Sequence, residues 1–167
     1  RQSLFRNRQQ SQWLTAVNGV DLRLKKGESL GIAGESGCGK STMGRLLLKL
    51  IDSTEGQYLF NGEDVTVLRS KEEILRFRRQ AQLVFQNPFE ALNPRFTVQR
   101  SITEPLTIHG IGSSKEERAE LVKQALRRVN LQPAEAFLEK YPHQMSGGQL
   151  QRVVLARALV LKPAFLV

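Results

Sequence analysis

Two short motifs of small and polar residues have the composition needed to bind phosphate groups. The first consists of Gly34, Glu35, Ser36, Gly37, Cys38, Gly39, Lys40, Ser41 and Thr42. The second consists of Met145, Ser146, Gly147, Gly148 and Gln149. Glycines allow successive backbone N–H groups to point at one anion, and a helix that begins at such a loop adds the positive end of its dipole. The first motif therefore predicts contacts to a phosphorylated ligand, whereas the second, taken alone, is equally compatible with an ordinary helix cap.

The first motif has the pattern of a phosphate-binding loop, with Gly34 and Gly39 followed by Lys40 and Ser41. We expect the backbone N–H groups to surround the phosphates of a nucleoside triphosphate. Lys40 would reach the β- and γ-phosphates, Ser41 would bind Mg²⁺, and Thr42 is a candidate for the α-phosphate. The loop alone is compatible with kinases, GTPases, helicases and transporters. Its cysteine, the only one in the chain, is interpreted as a small residue that fills a tight turn.

A phosphate loop needs a strand before it and a helix after it. The apolar run at residues 30–33 predicts a buried strand, and the alternation of Val20, Leu22 and Leu24 predicts another. Apolar residues after the loop predict one face of a helix: Met43, Leu46, Leu47 and Leu50. Residues 56–60 predict a strand that ends at the Asn61-Gly62 turn.

The second half of the chain has the periodicity of helices. Ser114 and Glu117 predict a capping box, followed by an apolar stripe that we assign to the core: Leu121, Val122, Ala125, Leu126 and Val129. The second motif opens a further helix, whose apolar face is Leu150, Val153, Val154, Ala158 and Leu161. Arg152 and Arg157 lie off that face, and residues 164–167 predict a final strand.

Composition limits the function classes. The 167 residues suffice for one domain, and no run of eighteen apolar residues predicts a membrane span. A single cysteine fits a reducing compartment. The net charge of +9 is compatible with nucleic acid, but the basic clusters lack interleaved aromatic residues, so a solvated basic face beside an anionic membrane surface is the preferred interpretation. One cluster comprises Arg69, Lys71, Arg76, Arg78 and Arg79, and the other Arg1, Arg6, Arg8, Lys25 and Lys26.

The order of these motifs resembles the nucleotide-binding subunits of ABC transporters, in which the Ser146 loop corresponds to the signature motif, with Met145 where leucine is usual. Gln86 matches the family's Q-loop glutamine, which implies a role in holding Mg²⁺ and sensing the γ-phosphate. The stretch at residues 87–95 looks like that of oligopeptide, dipeptide and nickel importers, and Tyr141-Pro142-His143 also suits that subfamily.

The resemblance implies an α/β fold, a P-loop NTPase (RecA-like) core with an inserted helical subdomain. Residues 1–86 would form the first part of the core, residues 87–147 the helical subdomain, and residues 148–167 the signature helix and the start of the next core strand. ATP and Mg²⁺ are the implied cofactors, with Lys40 and Gln86 as catalytic residues and Ser41 and Gln86 at the metal. The resemblance implies that the family's adenine-stacking aromatic residue lies just upstream of Arg1, with Trp13 and Phe5 only as weak substitutes.

The implied partners are a second ATP-binding subunit in a head-to-tail homo- or heterodimer, transmembrane permease subunits and, indirectly, a solute-binding protein. The implied location is the cytoplasmic face of the inner membrane, as a peripheral subunit. No nucleic acid is expected. The alternatives are a soluble ABC ATPase that acts on nucleic acid and a catalytically inactive fragment.

The apolar run after Lys162-Pro163 continues, in the family, into an aspartate for Mg²⁺ and a glutamate that activates water. Both would follow Val167, so we expect this sequence to be part of a longer subunit, with the strand truncated before the catalytic carboxylates. We expect these 167 residues alone to bind nucleotide weakly and not to hydrolyse it. His109 and His143 precede the signature and are interpreted as loop or packing residues.

Overall fold

The computed structural model describes residues 15–167, which form an α/β structure. Its first part contains α1 (Lys40–Leu47), β1 (Leu59–Phe60), β2 (Glu63–Asp64), α2 (Lys71–Gln80) and β3 (Ala81–Gln82). Its second part contains α3 (Pro88–Ala91), α4 (Val98–Ile108), α5 (Lys115–Arg128), α6 (Glu135–Leu138), a 3-10 helix (Pro142–Gln144), α7 (Gly147–Leu159) and β4 (Phe165–Leu166).

The strands β3 and β4 are distant in sequence but pair in parallel, with Ala81 opposite Phe165. The ladder continues beyond them, because Val84 N–H donates to the Val167 carbonyl at 2.8 Å. Helix α1 packs against this pair at Gly44, where an added Cβ would lie 3.2 Å from Val167 Cγ1. A helical glycine costs stability relative to alanine, and this close approach explains its presence.

The strands β1 and β2 form a hairpin at the predicted Asn61-Gly62 turn, but the strand predicted for residues 56–60 covers only Leu59–Phe60. Both turn residues have positive φ, 51° for Asn61 and 84° for Gly62, as tight hairpin turns require. The hairpin and α2 bury a small aromatic cluster, in which the Phe60 and Phe77 rings meet edge to face at 5.3 Å. Burial beside this cluster raises the pKa of Tyr58 to about 12.

The larger core lies among α4, α5 and α7. Its fully buried side chains include Ile102, Leu106, Val122, Leu126, Leu150 and Val153. The apolar stripe predicted for α5 is confirmed, because four of its members are buried and Leu121 packs against the cluster. Ser114 Oγ accepts from Glu117 N–H at 3.1 Å, but the Glu117 carboxylate turns to Ser113 instead of closing the box on Ser114.

Two strand predictions are wrong for the described residues. Residues 30–33 and 20–24 have no strand partner between positions 15 and 167, and their apolar side chains are exposed, with Leu30 at 52% and Val20 at 52%. A buried parallel strand depends on neighbours at both sides, which local periodicity cannot reveal.

The apolar helix face predicted after the loop also needs correction. Helix α1 ends at Leu47, so Leu50 is exposed while Leu48 is buried.

The boundaries proposed at residues 86, 87, 147 and 148 stay predictions. Residues 87–147 do contain α3, α4, α5 and α6, whereas α7 packs with this helical cluster. The pairing of β4 with β3 returns the chain to the first part. Among positions 15–167, no helix is both long and apolar enough to cross a bilayer.

Candidate functional site

The phosphate loop is a tight bend that leads directly into α1. Gly37 has φ of 83° and Gly39 has φ of 97°, and Gly39 is the N-cap of the helix. The N–H groups of a helix's first turn have no intrahelical acceptor, and in α1 no capping side chain accepts from them either. Uncapped N–H groups and the positive dipole end together favour an anion at this position.

The side chain of Lys40 folds back over the loop. Its ammonium donates to the Gly34 carbonyl at 2.7 Å and to the Glu35 carbonyl at 2.6 Å, and lies 3.6 Å from Cys38 Sγ. These bonds hold the only positive side-chain group of residues 34–42 at the mouth of the loop. The charge is therefore placed beside the N–H groups that an anion would contact.

Gly39 is enclosed more tightly than Gly37. A Cβ on Gly39 would lie 2.3 Å from the Ala16 carbonyl oxygen, whereas one on Gly37 would meet nothing within 4 Å. Both residues have positive φ, which costs an L-residue about 1–2 kcal/mol. The loop conformation therefore depends on Ala16 and Val17 as well as on its own sequence.

We expect Gly39→Ala to lower the free energy of unfolding by clearly more than the about 1–2 kcal/mol of Gly37→Ala, because only the former adds a backbone clash. Urea denaturation of the two variants measures the difference. Equal losses would show that the contact with Ala16 does not constrain the loop.

The second motif begins α7 with a reciprocal pair of caps. Ser146 Oγ accepts from Gln149 N–H at 3.3 Å, and Gln149 Oε1 accepts from Ser146 N–H at 3.1 Å. An added Cβ on Gly147 or Gly148 would meet nothing within 4 Å. The two glycines therefore present free backbone on the surface and are not needed for packing in the described chain. They are suited to the close approach of a ligand or a partner.

Gln86 is exposed and lies after β3, next to the cap of α3. Within the described chain, no hydrogen bond joins Gln86 or the Ser146 loop to residues 34–42. The predicted roles of all these residues toward ATP and Mg²⁺ stay predictions. The hydrogen-bond donors at the phosphate loop suit a phosphate group. They are the N–H groups at the uncapped start of α1, the Lys40 ammonium and the exposed Ser41 hydroxyl.

A magnesium ion would need further oxygen ligands at this loop. Residues 15–167 contain no cluster of three His, Cys, Asp or Glu side chains suited to a metal. Magnesium is commonly held by one or two protein oxygens together with substrate phosphates and water. The Ser41 hydroxyl and the Gln86 amide oxygen have the chemistry of such ligands, and their role at Mg²⁺ stays a prediction.

An open groove of about 530 Å³ separates α3 from α4 and the end of α7. Its lining includes Glu90, Asn93, Phe96, Ser101, Glu104 and Arg157. Ser101 is buried, and its hydroxyl has no hydrogen-bond partner. Arg157 donates to the Ala91 carbonyl and to the Glu104 carboxylate, each at 3.0 Å.

His109 and His143 lie on elements other than the phosphate loop. Partial burial, and then the charge of Arg79, lowers the pKa of His109 at the end of α4. His143 stacks on Tyr141 with ring centroids 5.7 Å apart, just before the second motif. Trp13 and Phe5 lie outside the described residues.

Two parallel strands and a glycine loop that enters α1 fit the class of P-loop nucleoside triphosphatases, although residues 30–33 do not form the strand expected before the loop. The model of the ABC transporter family matches residues 17–167, so the chain belongs to that family.

The chain is 45% identical over 152 residues to the oligopeptide transport ATP-binding protein OppF of Bacillus subtilis (strain 168), covering 91% of this chain and 49% of that protein. It is 49% identical over 152 residues to AppF of the same organism, an oligopeptide transport ATP-binding protein, covering 91% of this chain and 45% of that protein.

Solved structures give the same result for the fold. The dimeric structure of MJ0796, a bacterial ABC transporter cassette, matches with a TM-score of 0.77 and 36% identity over 89% of this chain and 62% of that chain. A post-hydrolysis state of that cassette, bound to ADP and Pi, matches equally well. The predicted α/β P-loop fold and the family resemblance are confirmed. The chain spans about half the length of the curated relatives it matches.

Sequence reasoning identified both loops but missed the contacts between Arg157, Ala91 and Glu104. The periodicity of α7 predicts only that Arg157 lies off its apolar face. Its partners are 66 and 53 positions away, so no local spacing could indicate them.

Proposed function

We propose that the intact protein containing this chain is the ATP-binding and ATP-hydrolysing subunit of an ABC importer for peptides or similar solutes. The observation that supports this most directly is the uncapped N-terminus of α1 together with the Lys40 ammonium, a combination whose chemistry suits a phosphate group. The curated relatives are named as oligopeptide transport ATP-binding proteins, which favours peptides as the transported solute. Their names give no support to the alternative of an ABC ATPase that acts on nucleic acid.

In this proposal the phosphate loop binds and orients ATP. The Lys40 ammonium, held at the Gly34 and Glu35 carbonyls, has a remaining donor direction near Cys38 Sγ, from which it would turn to a β- or γ-phosphate oxygen. Ser41 and Gln86 would supply oxygen ligands to Mg²⁺. When bound, ATP supplies the phosphoanhydride bond whose cleavage drives the transport cycle. Hydrolysis is proposed for the intact protein only.

The Ser146 loop would complete the site of a second subunit. Its free Gly147 and Gly148 backbone faces solvent and no residue of the described chain. The N–H groups at the start of α7 are suited to the γ-phosphate of a nucleotide held by a partner's phosphate loop. A head-to-tail dimer, homo- or heteromeric, then needs ATP to close and releases its subunits after hydrolysis.

Residues 87–110 would contact the permease subunits. They include the exposed Phe89 side chain, 63% accessible, and one wall of the groove beside α4. Exposed aromatic residues are frequent where partners bind. The basic side chains of α2, among them Arg76 and Arg79, would suit the anionic cytoplasmic face of a membrane. A solute-binding protein would act through the permeases.

Transport itself tests the proposal. Vesicles that contain the intact protein and its permeases are expected to accumulate short labelled peptides in the presence of ATP and the solute-binding protein. The same vesicles with Lys40→Ala are expected to show no accumulation. Accumulation of labelled nickel without peptide would contradict the peptide assignment, and peptide uptake without ATP would contradict the proposed role.

A further inference from the structure

Arg157 connects three elements of the helical part through one guanidinium. It lies near the end of α7, and its Nη1 donates to the Ala91 carbonyl at 3.0 Å. Its Nη2 donates to Glu104 Oε2 on α4, also at 3.0 Å. A planar guanidinium fixes the directions of both bonds, which an ammonium cannot do.

The Ala91 carbonyl belongs to the segment that directly follows Gln86. Asn87 Oδ1 caps α3 by accepting from Phe89 N–H at 3.1 Å, and Ala91 is the last residue of this single turn. The final carbonyls of a helix have no partner within the helix and carry the negative end of its dipole. The cation on α7 satisfies one of these carbonyls and so ties α3 to α7.

Helix α7 is a rigid connection between this contact and the Ser146 loop. Leu150, Val153 and Val154 along its length are at most 3% exposed. Arg157 lies about 16 Å along the axis from Ser146, at about 1.5 Å per residue. Because close-packed helices move as bodies, a displacement at the start of α7 reaches the Ala91 carbonyl.

We propose that Arg157 is a positioning residue that holds the segment after Gln86 in a fixed place relative to the Ser146 loop. Loss of its guanidinium frees residues 87–96 without removing α7 from the core. This inference rests on the proposed function for the roles of Gln86 and the Ser146 loop. The contact of Arg157 with Ala91 and its effect on the mobility of residues 87–96 are independent of that function.

Arg152 provides a matched control on the same helix. Its Nη1 donates to the Asn130 carbonyl at 3.2 Å, which ties α7 to the turn after α5 and not to α3. The core residues of α7, Leu150 and Val153, are buried and are changed in neither variant, so both should fold.

Hydrogen exchange of the intact protein without nucleotide tests the contact directly. We expect Arg157→Gln to exchange about tenfold faster in peptides that cover residues 87–96, because it loses charge-assisted hydrogen bonds, with no change in the core of α5. Arg152→Gln should leave residues 87–96 unchanged. Arg157→Lys, which can reach one acceptor, should be intermediate, and it serves as the test if Arg157→Gln does not fold.

Steady-state ATP hydrolysis tests the consequence. Arg157→Gln should lower kcat about tenfold or more with KM unchanged within about twofold, because the phosphate loop is untouched while Gln86 is misplaced. Unchanged exchange at residues 87–96, or an equal rise in Arg152→Gln, overturns the proposal. If Arg157→Gln exchanges faster at residues 87–96 but keeps its kcat, only the claim that Arg157 positions Gln86 is overturned. Failure of the proposed function itself would instead appear as hydrolysis that persists in Lys40→Ala.

Discussion

Replacing Lys40 by alanine in the intact protein is expected to weaken ATP binding at least about a hundredfold and to abolish hydrolysis. The ammonium is the only cationic side-chain group of residues 34–42, and it already lies at the mouth of the loop through its bonds to Gly34 and Glu35. A hundredfold loss corresponds to about 2.7 kcal/mol, in the range of one or two charge-assisted hydrogen bonds. Titration with a fluorescent ATP analogue and measurement of phosphate release check both effects.

Lys26→Ala is the matched control, because it removes the same charge from an exposed position outside the loop. It should bind and hydrolyse ATP like the unchanged protein. The unfolding free energy of Lys40→Ala should also be measured, since the empty loop loses two hydrogen bonds. Wild-type affinity in Lys40→Ala, or the same loss in Lys26→Ala, would remove the basis for the phosphate site.

Gly148→Asp is expected to leave ATP binding by the monomer intact and to abolish ATP-dependent dimerisation. Gly148 is in the first turn of α7, with open space where a side chain would point. A carboxylate there interacts favourably with the helix dipole, so the fold should not be weakened. Opposite a partner's γ-phosphate the same carboxylate would cost about 2–4 kcal/mol. Light scattering after size-exclusion chromatography, with a slowly hydrolysed ATP analogue, measures the dimer.

Gly148→Asn separates charge from size in this experiment. Asparagine has nearly the shape of aspartate without its charge, so it should dimerise more readily than Gly148→Asp. Ser146→Ala is expected to spare monomer binding and impair dimerisation too, but it also removes the cap of α7 at a cost of about 0.5–2 kcal/mol. Normal dimers of Gly148→Asp with the ATP analogue would exclude the Ser146 loop from the interface.

The sequence predicts best those elements whose signals are local. Helix α7 follows from its cap at Ser146 and its apolar periodicity, and the hairpin follows from the Asn61-Gly62 turn. The phosphate loop follows from glycine spacing before Lys40. In each case neighbouring residues supply the hydrogen bonds or the backbone angles, so no distant partner is needed.

Features that depend on distant partners could not be predicted in this way. The exposure of Leu30 and Val20 depends on which strands lie beside them. The end of α1 at Leu47 depends on the turn at Lys49, where φ is 51° and Arg78 donates to the carbonyl at 2.7 Å. The contacts of Arg157 with α3 and α4 likewise arise only after α7 packs.

The parallel pairing of β3 with β4 has a consequence for how the chain folds. Because the two strands are adjacent in the sheet, all of residues 85–163 form an excursion between the paired segments. Closing so long a loop costs chain entropy, and the cost falls when the intervening helices have already brought their ends together. The helical core around Ile102, Leu126 and Leu150 is therefore expected to form before the strand pair, with sheet closure as the late step in folding.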